Sequence, residues 1–200
     1  MNARQEVEGN GEERVELALP PPPEQSPQRV PGRWWVLAPL IALLGGLFGI
    51  IGAFYTELLR GSLLVAFVGA PIIEESLKPS GVYLLLVKWP AVLRRQLYTA
   101  FLAALSGIAF ALVEDFIYLN VYYPEHSAQL ALWRYTVCVA GHALFSFIAG
   151  FGINRKLVAA ARGEIKFLAF DKRFFIAAMV LHSLYNIFIT IFAGKLGFSR

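Results

Sequence analysis

Seven ionisable residues lie inside apolar stretches of this chain: Glu74, Glu75, Lys78, Glu114, Asp115, His142 and His182. Carboxylates and imidazoles can move protons or hold a cation, and a lysine can neutralise a carboxylate beside it. Their spacing pairs them. Glu74 and Lys78 are i,i+4 neighbours and Glu75 and Lys78 are i,i+3 neighbours, each with the carboxylate first, the better orientation on a helix. His182 and Asn186 share one helix face, as do His142 and Ser146. If ionised, Glu74, Glu75, Glu114 and Asp115 set four negative charges against the single positive charge of Lys78, leaving three unbalanced. Either some of the carboxylates are protonated through coupled titration, or a cation enters the cluster. A zinc ion held by His142, His182 and one glutamate would have the His₂Glu-plus-water arrangement of a catalytic site, with another glutamate free as base. Neutral histidines with a protonated acid offer a metal-free route to water activation.

The elements that must position these residues follow from composition. Hydrophobic residues make up 57% of the chain and charged residues 16%, a balance wrong for a soluble globule. Runs of about 20 apolar residues follow one another, each long enough to cross roughly 30 Å of hydrocarbon. The spacing predicts an all-α, polytopic membrane bundle with about five crossings, over residues 34–55, 58–87, 97–121, 130–152 and 174–192. Gly45 and Gly49 give the first a small-xxx-small face for close helix contact. The second is long and carries Pro71 and Pro79, so it is kinked or broken. Pro79 has no N–H, which deprives the carbonyl of Glu75 of its helical partner beside the carboxylates. A charged group at the bilayer centre costs about 2.5 to 3.5 kcal/mol even on a lenient insertion scale, so seven unshielded ones would exceed the stability of most folds. They must face one another or a wet cavity. Straight helices entered from one side place Glu74, Glu75, His142 and Asn186 at roughly 18 to 20 Å depth, Glu114 at about 25 Å and His182 at about 13 Å.

Residues 1–32 are rich in Glu and Pro and poor in aromatic and β-branched residues, which predicts a disordered tail ahead of a membrane domain over 33–200. The net charge of +4 could suggest nucleic-acid binding, but most Lys and Arg fall in short loops beside the apolar runs, where membrane orientation accounts for them. Arg29 and Arg33, then Lys88, Arg94 and Arg95, then Arg155 to Arg173 all fall on one side. A cytoplasmic N-terminus and an extracytoplasmic C-terminus follow. Arg60 and Arg134 fall on the other side. Residues 157–170 mix apolar and cationic side chains, as a segment in the headgroup plane would. The lone Cys138 reads as a small buried apolar residue.

Four ordered motifs carry a resemblance to a known family: EESLK at 74–78, ALVEDFIY at 111–118, GHALFSFIAG at 141–150 and LHSLYN at 181–186. Each is weak alone, but their order on successive apolar helices resembles the PrsW family of intramembrane proteases, within the larger group that includes the CAAX-processing and bacteriocin-processing membrane proteases. The resemblance implies Glu74 or Glu75 as general base, with His142 and His182 holding water or the oxyanion. It implies Asn186 as a hydrogen-bond donor and Lys78 as the residue that fixes or charge-balances the glutamates. Glu114 becomes a metal ligand or a second acid, so the metal-ligand candidates are Glu75, Glu114, His142 and His182, with Zn²⁺ as the ion. Asp115 replaces the asparagine usual in the family, which adds negative charge and removes an amide.

The implied activity is peptide-bond hydrolysis of membrane-protein substrates in a bacterial cytoplasmic membrane, with transmembrane anti-sigma factors as the substrate class the resemblance suggests. A proton- or cation-coupled transporter would use buried acids and histidines as an ion relay, but the paired broken helices of an inverted repeat are missing. A non-catalytic membrane scaffold that keeps the protease fold is the third reading.

Overall fold

A computed structural model of the chain describes residues 30–58 and 63–192. The predicted tail lies, up to residue 29, outside the described residues. Every regular element among the described residues is helical. In order these are α1 (Trp34–Leu58), a π-helical turn Val65–Gly69, α2 (Ala70–Leu77), α3 (Ser80–Lys88), a short 3₁₀ turn, and α4 (Gln96–Ile117), which runs on through a π turn Tyr118–Tyr122. Next come α5 (Ala128–Trp133), a π turn Arg134–Cys138 and α6 (Val139–Gly150), then α7 (Arg155–Ala161), a second 3₁₀ turn and α8 (Arg173–Phe192). Four continuous stretches are long and apolar enough to cross a membrane: Trp34–Phe54, Gln96–Tyr122, Ala128–Gly150 and Arg173–Phe192.

The remaining apolar segment is broken, as its prolines require. Lys78 N–H donates to the Glu74 carbonyl at 2.9 Å. Pro79 then leaves helical geometry at φ −81°, ψ 21°, because it has no N–H with which to continue. Its own carbonyl accepts from Val82 and Tyr83 at 2.9 and 3.0 Å and restarts the chain as α3. The Ser80 hydroxyl donates to the Leu77 carbonyl at 2.5 Å, covering an acceptor that the break exposes.

Small residues bring the helices to backbone contact. Gly45 on α1 meets the backbone of Gly81 on α3, and Gly46 meets that of Ser106 on α4. The Ser106 hydroxyl donates to the Ala42 carbonyl at 2.5 Å. Gly107 on α4 lies against the carbonyl of His142 on α6, and Gly150 lies against Ala100. A larger side chain at these crossings would force the helices apart. One half of the interior is an apolar core containing Leu85, Leu102, Phe145, Ile153 and Phe175. Leu44, Phe48, Phe116, Leu144 and Leu184 instead point outward, as lipid-facing residues do.

The three basic loops share one end of the bundle. Trp34 packs on Trp89 and Trp35 on Tyr98. Gln96 donates its amide to the carbonyls of Gly150 and Ile153, at 2.8 and 3.1 Å, and Phe151 meets Phe174. At this end Leu157 and Val158 of α7 pack on the core, while Phe167 and Leu168 are exposed. Asp171 accepts from the Asn154 amide at 2.8 Å, a bond that holds its carboxyl below the usual carboxylate range.

Candidate active site

The opposite half of the bundle holds the polar residues. Glu75, Lys78 and Asp115 have no exposed surface, His142 and His182 are 3% exposed and Glu74 is 5% exposed. α2 supplies Glu74 and Glu75 with Lys78 capping its C-terminus, α4 supplies Glu114 and Asp115, α6 supplies His142, and α8 supplies His182 and Asn186.

Lys78 is the hub. Its ammonium lies 2.7 Å from Glu75 Oε1 and 3.2 Å from Glu74 Oε2, 2.7 Å from His142 Nδ1 and 4.2 Å from the centre of the Phe110 ring. His182 Nδ1 is 2.9 Å from Glu75 Oε1, and its Nε2 is 3.9 Å from Glu74 Oε2. His142 Nε2 is 3.2 Å from Glu114 Oε2. The two imidazoles lie 5.0 Å apart, nearly perpendicular, and His182 stacks on Phe145. Glu74 Oε2 and Glu75 Oε2 are buried and accept no hydrogen bond; the contact of Glu74 with Lys78 is an ion pair without hydrogen-bond geometry.

A second ionic cluster adjoins the first. Arg134 Nε lies 2.7 Å from Asp115 Oδ1 and its Nη2 lies 3.4 Å from Glu114 Oε2, with the guanidinium 3.9 Å above the Tyr118 ring. Sequence reasoning placed Arg134 at a helix start on the far side and left it out of the charge balance. The structure corrects that balance: four carboxylates face Lys78 and Arg134, so two negative charges are left rather than three. The available signal was a lone arginine in an apolar stretch, about two turns ahead of His142. Its partner could not be read, because α5 and α6 are joined by a π turn that changes the rotational register.

A cavity of about 730 Å³ opens beside both clusters, at the end of the bundle away from the basic loops. Glu74, Glu114, Arg134, His142, His182 and Asn186 reach its wall, whereas Glu75, Lys78 and Asp115 stand behind it. All three π turns border the cavity, through Ala66, Tyr118 and Cys138 among others. Such turns re-aim side chains where a regular helix would not. They and the helix tilts also explain a difference from the straight-helix depths. Those set Glu114 and His182 about 12 Å apart, yet both touch the same cluster.

Cation ligands converge in two groups among the described residues. The ligand atoms of Glu74, His142 and His182 lie within 4.8 Å of one another, as do those of Glu114, Cys138 and His142. Glu75, a ligand candidate from sequence, is in neither group and instead backs His182. Cys138 is buried, as expected, but it also borders the cavity. Asn186 lines the cavity and donates its amide to the Ala66 carbonyl at 3.2 Å. Buried ionised or ionisable groups this dense belong to a working site more readily than to packing.

No curated protein and no solved structure matches the chain. A family model described as PrsW family intramembrane metalloprotease matches residues 32–198, a range that takes in every helix and every polar residue described above. The chain therefore belongs to the PrsW family, as a helical multi-pass membrane protein and an intramembrane endopeptidase.

Proposed function

We propose that the chain hydrolyses peptide bonds of membrane-protein substrates with a water activated at Glu74. The observation that carries this reading is the environment of that carboxylate: it reaches the cavity wall, its Oε2 accepts no hydrogen bond, and two imidazoles stand beside it. A base must lie within hydrogen-bond reach of the proton it takes, and the Glu74 side chain, with its Oε2 covered, still reaches the wall where water from the cavity arrives. Glu75 is committed elsewhere, since its Oε1 meets both Lys78 and His182. In this reading the water oxygen attacks the scissile carbonyl carbon while Glu74 takes its proton. Collapse of the tetrahedral intermediate breaks the C–N bond, and Glu74 returns the proton to the leaving nitrogen. The oxyanion needs donors at the cavity wall. His142 is one, and the Asn186 amide is another once it turns from Ala66.

Glu74, His142 and His182 also fit the ligand set of a zinc ion. They bring two nitrogens and a carboxylate together, and Glu75 backs His182 as a carboxylate behind a ligating histidine does. Zinc bound there would lower the pKa of a coordinated water to about 7 and polarise the scissile carbonyl. Glu114 is then the cavity carboxylate left to receive a proton.

Residues 33–200 form the protease domain in this account. The shared end of the basic loops supports a cytoplasmic N-terminus and an extracytoplasmic C-terminus in a bacterial cytoplasmic membrane, which opens the cavity on the extracytoplasmic side. Single-pass membrane proteins are the proposed substrates, with transmembrane anti-sigma factors the class that the family resemblance favours. The test is coexpression with a panel of such proteins. Wild type is expected to cut at least one, and Glu74→Gln, His142→Ala and His182→Ala are each expected to lose 10² to 10⁴ in rate, the usual contribution of a general base. Near-normal turnover by inserted Glu74→Gln would overturn the reading.

A further inference from the structure

The proton positions on the two buried histidines follow from their partners. An ammonium has N–H donors and no acceptor, and that of Lys78 lies at hydrogen-bond distance from two acceptors, Glu75 Oε1 and His142 Nδ1, both at 2.7 Å. His142 Nδ1 must therefore present its lone pair, which leaves the ring proton on Nε2, the nitrogen 3.2 Å from Glu114 Oε2. His182 is held the other way. Its Nδ1 is 2.9 Å from Glu75 Oε1, an oxygen that already accepts from Lys78. That nitrogen carries the proton, and in the neutral ring Nε2 is then the bare nitrogen toward Glu74.

We propose that Lys78 is a positioning residue that acts through His142: it fixes the Nε2–H tautomer of that ring, while Glu75 fixes the opposite, Nδ1–H tautomer of His182. The two histidines then differ in what they can do at the cavity wall. His142 donates, as an oxyanion or a substrate carbonyl requires, and the Nε2 of His182 accepts a proton or ligates a cation. A neutral His142 has no lone pair at Nε2 while Lys78 holds Nδ1, so Lys78 and a metal ion compete for this ring. The catalytic meaning of these tautomers rests on the hydrolytic reading above; the tautomers themselves do not.

The experiment is ring-nitrogen NMR on metal-stripped, reconstituted protein labelled with ¹⁵N-histidine. The chain has three histidines, so His126→Gln, His142→Gln and His182→Gln assign the signals. In wild type, His142 is expected to show a protonated Nε2 and a bare Nδ1, and His182 the reverse. In Lys78→Met the preference of His142 is expected to be lost, while Lys78→Arg, which keeps a donor, preserves it. Matching tautomers in the two histidines of wild type, or an unchanged His142 spectrum in Lys78→Met, would overturn the inference. If Lys78→Met fails to fold, the wild-type spectrum alone decides. Cleavage assayed on the same proteins before metal is stripped separates the two ideas: the expected tautomers without cleavage count against hydrolysis alone, and cleavage with the wrong tautomers counts against Lys78 alone.

Discussion

Replacing Arg134 with glutamine should destabilise the fold through Asp115. The Asp115 side chain has no exposed surface and sits 2.7 Å from the guanidinium, while its Oδ2 accepts no hydrogen bond. Arg134 is itself largely buried and is the nearer of the two cations to the acid pair. Removing one partner of a buried pair leaves an uncompensated charge, which costs about 3 to 5 kcal/mol. Removing the charge as well should recover much of that. In Asp115→Asn/Arg134→Gln the remaining groups are neutral amides, and the loss should fall to about 1 to 2 kcal/mol, the scale of a hydrogen bond. The singles and the double form a cycle with a coupling of about 2 kcal/mol or more, since both act on one contact. Asp115→Asn alone removes the charge and leaves Arg134 its contact with Glu114. Equilibrium unfolding in bicelles, followed by steric trapping, measures all four proteins. Arg134→Gln within about 0.5 kcal/mol of wild type, the range of an ordinary surface change, would refute the argument. Strict additivity of the two substitutions would do the same.

Three further outcomes are expected. Gly107→Leu places a side chain where even a Cβ would lie 2.5 Å from the His142 carbonyl and 2.7 Å from Ser146 Oγ; overpacking should cost about 1 to 3 kcal/mol and shift His142, so both unfolding midpoint and turnover should drop, and an unchanged turnover would show that α4 and α6 are not held by this crossing. In a Cys138→Ala background, cysteines at the exposed positions Glu125 and Ala161 report orientation: an impermeant thiol reagent on intact cells should label the first and spare the second, and the reverse pattern inverts the topology. Chelation of purified protein decides between the two roles of Glu74: full activity in protein shown to be metal-free is the outcome expected of a base, whereas loss of bound zinc and activity together, both restored on readdition, would make Glu74 a ligand and hand the proton to Glu114.

Much of the fold was legible because lipid leaves few options. A backbone in hydrocarbon must satisfy its own hydrogen bonds, so long apolar runs become helices. The predicted first, third, fourth and fifth runs match α1, α4 with its π turn, α5 to α6, and α8 to within a few residues. The break in the second run was readable from Pro79, whose missing N–H is a local fact. The polar residues were legible individually, because each is expensive in its apolar setting. Their pairing was legible only within a helix: the contacts of Lys78 with Glu74 and Glu75 follow from i,i+4 and i,i+3 spacing. The contact of Lys78 with His142 crosses 64 residues and depends on how α2 and α6 rotate against each other, which no spacing encodes. Arg134 was missed for the same reason, and the π turns that aim it arise from tertiary packing. Glu74 and Glu75 looked equivalent as neighbours; successive residues on a helix point about 100° apart, and only the packed bundle decides which of them meets the cavity.

The central claim is that Glu74, and not Glu75, activates the water. Its most direct test is single-turnover cleavage of a transmembrane substrate by purified, reconstituted wild type, Glu74→Gln and Glu74→Asp, each first shown to unfold at a similar midpoint. Glu74→Gln keeps the size of the side chain but cannot take a proton. Its chemical step is expected to fall by about 10² to 10⁴ with little change in substrate binding, and Glu74→Asp should retain a measurable part of the rate. A well-folded Glu74→Gln that cuts as fast as wild type would contradict the account.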